Sequence, residues 1–191
     1  MKKRICCFIL AFILIAICQA GCGKKDNGMK KVVLNEVAHS IFYAPQYVAI
    51  EMGYFKDAGI DLVLETGFGA DKTMTALISG NADIGFMGSE STIYAYAEGS
   101  KDYAVNFAGL TQRAGNFLVA REKIDNFSWD MVKGKNVLGG RKGGMPQMVL
   151  EYILKANNID PASDLSIDQS VDFGLTAGAF SGNTEYDFTV E

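Results

Sequence analysis

Short apolar runs alternate with amphipathic segments from residue 31 onward. The first half contains four apolar runs with the length and bounding residues of strands, at 31–37, 60–64, 83–87 and 104–110. Helical spacing lies between them: one helix has Pro45 in its first turn and stops at Gly53, and another spans 71–79. A third follows Ser89, a residue typical of a helix N-cap. This βαβαβαβ order predicts an α/β fold with a parallel sheet covered by helices on both faces.

The second half repeats the architecture. Strands are predicted at 116–120, 135–138, 165–170 and at the alternating residues Tyr186, Phe188 and Val190. A short helix is predicted at 129–132, and a stronger helix opens at Pro146 and ends at Asn157 and Asn158. Asp172 and Phe173 are predicted to start one more helix. The repetition indicates a second unit of similar architecture.

The carboxyl ends of the first four predicted strands carry glycines, hydroxyls and aromatic residues. Parallel sheets bind ligands at this edge, and helix N-termini there favour anions or polar groups. The segments are 39–43, 66–70, 88–91 and 111–113, which include Glu90 and Gln112. Glu90 either meets a cationic or amine group of a ligand or complements its helix dipole. His39 either bonds a ligand or caps the first helix.

A glycine-rich turn follows the predicted strand 135–138 and is a candidate second anion cradle. It contains Arg141 and Lys142, which either attract an anion or belong to a solvated turn. The turn matches neither the Walker A loop nor the G-x-G-x-x-G spacing. Nucleotide hydrolysis and NAD binding are therefore not expected.

The N-terminus has the pattern of a secretory signal. Three basic residues precede an apolar run of 14 residues at 5–18, which is too short to span a membrane comfortably. Ala20 and Gly21 then precede Cys22 in an arrangement that resembles a bacterial lipobox. We expect a signal peptide at 1–21 and a lipidated, palmitate-bearing Cys22 with a tether to residue 30; an ordinary signal peptide is the alternative. The lipid would hold the protein at the extracytoplasmic face of the cell membrane.

The net charge becomes more negative once the predicted signal peptide is set aside. The chain has 191 residues and a net charge of −4, but residues 22–191 carry a charge of −7, because the signal contains three basic residues and no acidic ones. An acidic chain without a basic block argues against nucleic-acid binding. Only Cys22 and His39 remain as cysteine and histidine, and no metalloenzyme or nucleophile-elbow motif occurs. We expect no enzymatic activity, no cofactor and no metal.

Four segments in order carry a family resemblance: Ala44–Ala49 (APQYVA), Gly53–Asp61 (GYFKDAGID), Ser79–Gly85 (SGNADIG) and Gly134–Val137 (GKNV). They resemble the SsuA/THI5-like, NMT1-type family of ABC-transporter substrate-binding proteins, which has the type II periplasmic-binding-protein fold. The resemblance runs from about Val32 to the last residue.

The resemblance implies two α/β lobes, here 31–114 and 115–191, with a central cleft that closes by hinge motion around a small molecule. It implies a monomer that delivers its solute to a membrane ABC permease. Sulfonates such as taurine, nitrate, and pyrimidine or thiamine precursors are the ligand classes of the family. The family's cleft loops align with Ser40, Phe42, Tyr43, Phe68, Gly69, Gly88, Ser89, Gly143, Gly144 and Met145, and Asp172 is a further candidate.

Two alternatives and one departure accompany the resemblance. A pyrimidine-precursor synthase branch of the family acts inside the cell and consumes pyridoxal phosphate, which does not suit an exported protein. A non-transport surface lipoprotein is the other alternative. The family pattern continues beyond Glu191, so we expect a truncated chain whose second lobe is incomplete, with the last strand leaving an open, hydrophobic sheet edge.

Overall fold

The computed structural model describes residues 28–113, 115–172 and 174–191. The predicted signal peptide, the lipidation at Cys22 and the positions of Ala114 and Phe173 lie outside the described residues. No helix in the described ranges is long and apolar enough to cross a bilayer.

Three parallel strands form the first sheet. They are β1 (Lys30–Glu36), β2 (Ile60–Thr66) and β3 (Ile84–Phe86), in the order β2-β1-β3. Leu34 of the central strand is in register with Leu64 and Ile84. The central strand buries Val32 and Leu34, as its apolar run predicts.

Four helices accompany these strands in the described part of the chain, and the sequence predicts all of them except the short helix at Tyr54–Asp57. They are α1 (Ala44–Glu51), α2 (Tyr54–Asp57), α3 (Ala70–Ile78) and α4 (Glu90–Ala97), and a 3-10 turn at Ile41–Tyr43 precedes α1. Pro45 lies in the first turn of α1, where its missing N–H costs no helical hydrogen bond. Gly53 follows α1 with a left-handed φ of 77°, a conformation that glycine adopts without strain.

Four strands form the second sheet. They are β4 (Leu118–Ala120), β5 (Asn136–Leu138), β6 (Ser166–Asp168) and β7 (Phe188–Val190), in the order β4-β7-β5-β6. Strand β4 runs antiparallel to β7, and the other pairs are parallel. The α/β class with parallel sheets is therefore confirmed.

The second sheet packs its apolar face on helix α5 (Met145–Ala156), while α6 (Thr176–Gly182) leads into β7 and a 3-10 turn at Trp129–Val132 leads into β5. The apolar stripe of α5 buries Leu150 and Leu154. The core cluster around them consists of Val132, Val137, Leu150, Leu154, Ile159, Leu165, Phe188 and Val190.

The predicted fourth strand at 104–110 is wrong. The segment forms no ladder within the described residues, and its apolar side chains Val105 and Phe107 are 75% and 78% exposed. A short apolar run fits a buried strand, but a strand also needs a neighbour for its backbone groups. The segment instead borders a cavity described below.

The last strand is not an open edge, so that prediction is also wrong. Strand β7 pairs with β4 on one side and with β5 on the other. Phe188, Thr189 and Val190 are all buried. The chain returns into the middle of the second sheet, because a strand that is buried on both faces needs partners on both edges. Strands β4 and β6 form the edges of this sheet.

The helix predicted to start at Asp172 and Phe173 begins later. Helix α6 starts at Thr176, and the N–H of Leu175 bonds to the carbonyl of Asp172 in the turn before it. The Asp172 carboxylate accepts a hydrogen bond from Arg141 and does not cap the helix. The Asp172 side chain therefore pairs with a distant segment, and the helix begins four residues further on.

Candidate functional site

A cavity of about 1080 Å³ lies between the elements of the two sheets. The carboxyl ends of β1 and β3, the loop 102–113 and the turn before α5 border it. Ten of the thirteen predicted ligand-binding residues line it: Ser40, Phe42, Tyr43, Gly69, Gly88, Ser89, Glu90, Gln112, Gly144 and Met145. Residues that are far apart in sequence thus share one enclosure, as expected for the carboxyl edge of a parallel sheet.

Three predicted site residues do not line the cavity. Phe68 is 56% exposed and holds a left-handed φ of 58° that bulky residues rarely adopt. Gly143 donates its N–H to the side chain of Gln147. The Asp172 carboxylate accepts a hydrogen bond from Arg141 Nε. The structure does not bring these three residues into the enclosure.

Aromatic rings form one wall. The ring of Tyr43 packs against Phe86 with centroids 4.3 Å apart, and Phe42 lies 6.0 Å from Tyr43. A Cβ atom on Gly115 would lie 2.6 Å from the Phe42 ring, so the glycine allows the ring to approach the backbone. Burial raises the pKa of the Tyr43 hydroxyl, and the nearby Glu36 and Glu90 add to the effect. The wall offers flat apolar surface and a neutral phenol.

Two hydroxyl residues at the cavity differ in their local roles. Ser40 is extended, and its Oγ accepts the N–H of Phe42 as the N-cap of the 3-10 turn. Ser89 was expected to cap α4 in the same way, which is wrong. Its backbone is helical and its side chain makes no capping hydrogen bond, because side-chain capping requires an extended N-cap residue. The Ser89 hydroxyl is therefore not committed to its own helix.

His39 does not cap the first helical turn, whose N-cap is Ser40, and it does not line the cavity. Its Nδ1 lies 3.1 Å from Glu36 Oε1, and its ring packs on Tyr47. Glu36 is fully buried at the end of β1 and also accepts hydrogen bonds from Gln46 Nε2 and Tyr47 Oη, both at 2.9 Å. This cluster ties the end of β1 to α1. It also raises the pKa of Tyr47 to about 12, chiefly through burial.

Glu90 differs from Glu36 because its carboxylate has no partner. The residue is 2% exposed, and neither side-chain oxygen forms a hydrogen bond with the described residues. Burial raises the pKa of this carboxyl group. The N–H groups of Glu90 itself and of Met145 face it and lower the pKa in part, but neither meets the geometry of a full hydrogen bond.

The backbone at Gly88 provides the space for this carboxylate. A Cβ atom at Gly88 would lie 2.0 Å from one oxygen of Glu90 and 2.3 Å from the other. Any side chain at position 88 would therefore displace the Glu90 carboxylate. The glycine, the acid and the start of α4 form one local unit at the end of β3.

Arg141 joins the two sides of the cavity. Its guanidinium binds both oxygens of Asp71, at the start of α3, and its Nε lies 2.9 Å from Asp172 Oδ1. These bonds lower the pKa of Asp71 and raise that of Arg141. Gly69 gives the pair room, since a Cβ there would lie 2.5 Å from Arg141 Nη1. Arg141 is thus an ion-pair bridge between the two sheets' elements.

The glycine-rich turn has already used most of the donors that an anion cradle would offer. The N–H of Lys142 bonds to Gln169, that of Gly143 to Gln147, and that of Gly144 to Arg141. An anion at this turn would have to displace bonds inside the protein. The described residues also contain no cluster of metal-ligating side chains.

The sequence did not assign a site role to the loop 102–109, and it did not predict the ion-pair partners of Arg141. Most of the loop is an apolar run of the kind also found in strands, so local pattern does not predict that Asn106 bonds to Thr92 Oγ1 at the cavity. An arginine in a glycine-rich turn has the same appearance whether it is solvated or paired. The partners of Arg141 are Asp71 and Asp172, which lie 70 and 31 residues away in the sequence, so the residues next to Arg141 do not predict them.

Comparison with known proteins gives a family match. The model of a family described as NMT1/THI5 like matches residues 41–179. The Bacillus subtilis (strain 168) protein YtlA, whose name describes it as a candidate binding protein, is 51% identical over 187 residues. That match covers 97% of this chain and 55% of YtlA, so the chain spans about half the length of this relative.

Solved structures share the fold. A Bordetella bronchiseptica RB50 protein matches with a TM-score of 0.67 and 22% identity, over 85% of this chain and 51% of its own. The alkanesulfonate-binding protein SsuA from Xanthomonas axonopodis pv. citri, bound to MOPS, matches with a TM-score of 0.57 and 13% identity, over 85% and 53%. The periplasmic aliphatic sulphonate binding protein SsuA from Escherichia coli matches with a TM-score of 0.52 and 16% identity, over 84% and 53%.

Proposed function

The chain belongs to the NMT1/THI5-like family, and from that premise we propose that it is an extracytoplasmic solute-binding lipoprotein of an ABC importer. The cavity between the two sheets carries the proposal. Its lining comes from the strand ends of one sheet and from the turn before α5 of the other. A solute held there contacts both units at once, which is the requirement for a clamp.

Hinge closure is the proposed mode of binding. We assign the two units to lobes at 31–114 and 115–191, with the crossing near Gly115. Solute binding then favours the arrangement in which both lobes contact the solute, and a membrane permease recognises that arrangement. The Arg141–Asp71 ion pair crosses between the lobes and supports the closed form.

The proposed solute is a small polar molecule. Two of the structural relatives are named for sulfonates. Pyrimidine and thiamine precursors are further ligand classes implied by the family resemblance. The cavity supports a small ligand by its volume and by the aromatic wall of Phe42 and Tyr43. Sulfonates, nitrate and pyrimidine or thiamine precursors form the set to test.

A thermal-shift screen with the full chain tests the proposal. The probes are taurine, nitrate, hydroxymethylpyrimidine and thiamine, each at millimolar concentration. A solute at 100 times its Kd stabilises the fold by about 2.7 kcal/mol, which is a clear rise in the melting midpoint. Loss of the shift in a Phe42→Ala variant would place the solute at the cavity. No shift with any probe would contradict solute binding.

Membrane attachment through Cys22 is a separate part of the proposal. The lipobox-like sequence before Cys22 supports it. Cells that express the chain are fed radiolabelled palmitate, and the protein should carry label that a Cys22→Ser variant lacks. Equal labelling of both proteins would remove the anchor from the proposal.

We propose a binding function rather than catalysis. The relative YtlA and two structural neighbours carry binding-protein names, which supports this choice. Incubation of the purified chain with pyridoxal phosphate tests the synthase alternative, because a synthase of this family would consume it. Consumption of pyridoxal phosphate would move the assignment to the enzyme branch.

A further inference from the structure

We infer that Glu90 is a ligand-binding carboxyl group that selects a solute with N–H donors, such as an amine, an amidine or an amino-substituted ring, over an oxyanion. The inference rests on the proposed solute-binding function and adds the chemistry of the solute to it. Three observations carry it: the burial of Glu90, the missing partners of its oxygens, and the charges around the cavity.

The first argument is the contrast between two buried carboxylates. Glu36 is completely buried and accepts hydrogen bonds from three side chains within 3.1 Å. Glu90 is 98% buried, lines the cavity, and has no hydrogen-bond partner for either oxygen among the described residues. Buried polar groups in folded proteins are almost always satisfied, and those left over mark functional positions. The structure therefore leaves acceptors for donors that come from outside the chain.

The helix dipole does not account for Glu90. The residue is the first of the eight-residue helix α4, and the N–H of Met145 at the start of α5 faces it from the other lobe. Both helix ends favour the charged carboxylate. Burial outweighs them, because the pKa of Glu90 is raised overall. A group that served only to complement the dipole would lie at the surface, where it keeps its hydration.

The cations near the cavity do not neutralise Glu90. Arg141 forms ion pairs with Asp71 and Asp172, and no described ion pair includes Glu90. Arg113 lies at the exposed rim, where solvent screens its charge. The described ionisable lining consists otherwise of the acids Asp83, Asp102 and Glu191 and the tyrosines Tyr43 and Tyr103. A sulfonate or nitrate would meet a buried acid whose cationic neighbours are engaged or solvated.

A solute with N–H donors supplies the missing hydrogen-bond partners of Glu90, and it avoids the repulsion that an anionic solute would meet there. Its N–H groups give the Glu90 oxygens charge-assisted hydrogen bonds, which are stronger than bonds between neutral groups. A planar ring also fits against Phe42 and Tyr43. Gly88 fixes the carboxylate at the end of β3, so the position of the donor is defined by the fold.

Isothermal titration of the full chain tests the inference with four probes: 4-amino-5-hydroxymethyl-2-methylpyrimidine, thiamine, ethanesulfonate and nitrate. The variants are Glu90→Gln, Arg113→Gln and Glu98→Gln. Glu98 is the matched control, because it lies just after α4, is exposed and does not line the cavity. We expect at least one nitrogenous probe to bind the wild type and Glu98→Gln equally, and to lose ten- to a hundredfold in affinity with Glu90→Gln.

Stability provides an independent readout. Glu90→Gln should keep or raise the thermal midpoint without ligand, since it removes a buried charge that has no partner. A lower midpoint would show that the protein itself satisfies the carboxylate, and would overturn the inference.

The inference would also be overturned if ethanesulfonate or nitrate binds, and if this binding survives in Glu90→Gln and is lost in Arg113→Gln. That result would leave the proposed solute-binding function intact. Failure of all four probes with the wild type would instead count against the proposed binding function, and the inference would fall with it.

Discussion

At the scale of single residues, two buried acids differ in whether their carboxylates find hydrogen-bond partners. Glu36 and Glu90 each follow or end an apolar segment, and each is buried. Side chains of α1 satisfy Glu36, whereas no described residue satisfies Glu90. The first therefore holds the fold together, and the second is available to a solute.

Replacing Glu36 by Gln should destabilise the protein. The new amide places an N–H₂ group among donors such as Gln46 Nε2 and Tyr47 Oη, so at least one buried donor loses its acceptor. We expect a loss of about 1–3 kcal/mol in the free energy of unfolding, measured by urea denaturation. Glu65→Gln, on the exposed face of β2, is the control and should change little. An unchanged midpoint for Glu36→Gln would show that the cluster does not support the fold.

At the scale of secondary-structure elements, local sequence pattern predicts helices better than strands, because a helix contains its own hydrogen-bond partners. Pro45, Gly53 and the spacing of α5 correctly locate helices, because helical hydrogen bonds close within the segment. The sequence predicts a strand both at β7 and at 104–110, because each segment has the apolar residues typical of a strand. One lies in the centre of a sheet and the other forms no ladder, because strand pairing depends on residues far along the chain.

The end of β6 gives a pH-dependent prediction at this scale. The Tyr186 hydroxyl and the Ser170 side chain and N–H donate to Asp168, and together they lower the pKa of its carboxyl group. A depressed carboxyl pKa stabilises the fold above the unfolded value of about 3.9, and this contribution is lost as the pH falls through the lower folded pKa. The wild type should therefore lose stability between about pH 5 and pH 2.

Tyr186→Phe should flatten that dependence. It removes the largest cause of the lowered pKa, so the folded and unfolded values of Asp168 move closer together. Urea denaturation at pH 3 to 7 should show a smaller difference between the two ends of the range than in the wild type. A Tyr54→Phe variant, with an exposed ring outside this cluster, should keep the wild-type slope. Identical slopes in all three proteins would contradict the assignment.

At the scale of the whole molecule, few polar bonds join the described residues of the two units. Arg141 binds Asp71 across the cavity, and Tyr94 Oη lies 3.6 Å from Met148 Sδ, a weak hydrogen bond. The cavity therefore lies between two cores with limited polar connection, an arrangement suited to relative motion.

Asp71→Asn should loosen the closed arrangement. The side chain of Asp71 is 61% exposed, so its pairing with Arg141 is screened and modest in strength. We expect the ratio of open to closed molecules to rise by up to about fivefold, seen as a larger radius of gyration in small-angle scattering.

The matched control is Asp130→Asn, because Asp130 pairs with Lys133 within a single 3-10 turn of one unit. It should leave the radius of gyration unchanged. Added salt should reduce the difference between wild type and Asp71→Asn, since salt screens the same ion pair. An equal radius for Asp71→Asn and wild type at low salt would show that this pair does not hold the units together.

The sequence by itself determined the α/β class, the family and ten residues of the cavity lining, because helix signals, strand runs and family motifs are all written in contiguous segments. Only the tertiary structure decided that β7 lies inside its sheet, that 104–110 is a cavity loop, and that Arg141 bridges two acids. It alone separated the satisfied Glu36 from the unsatisfied Glu90. Hydrogen-bond partners and burial are properties of packing between distant segments, and local composition does not encode them.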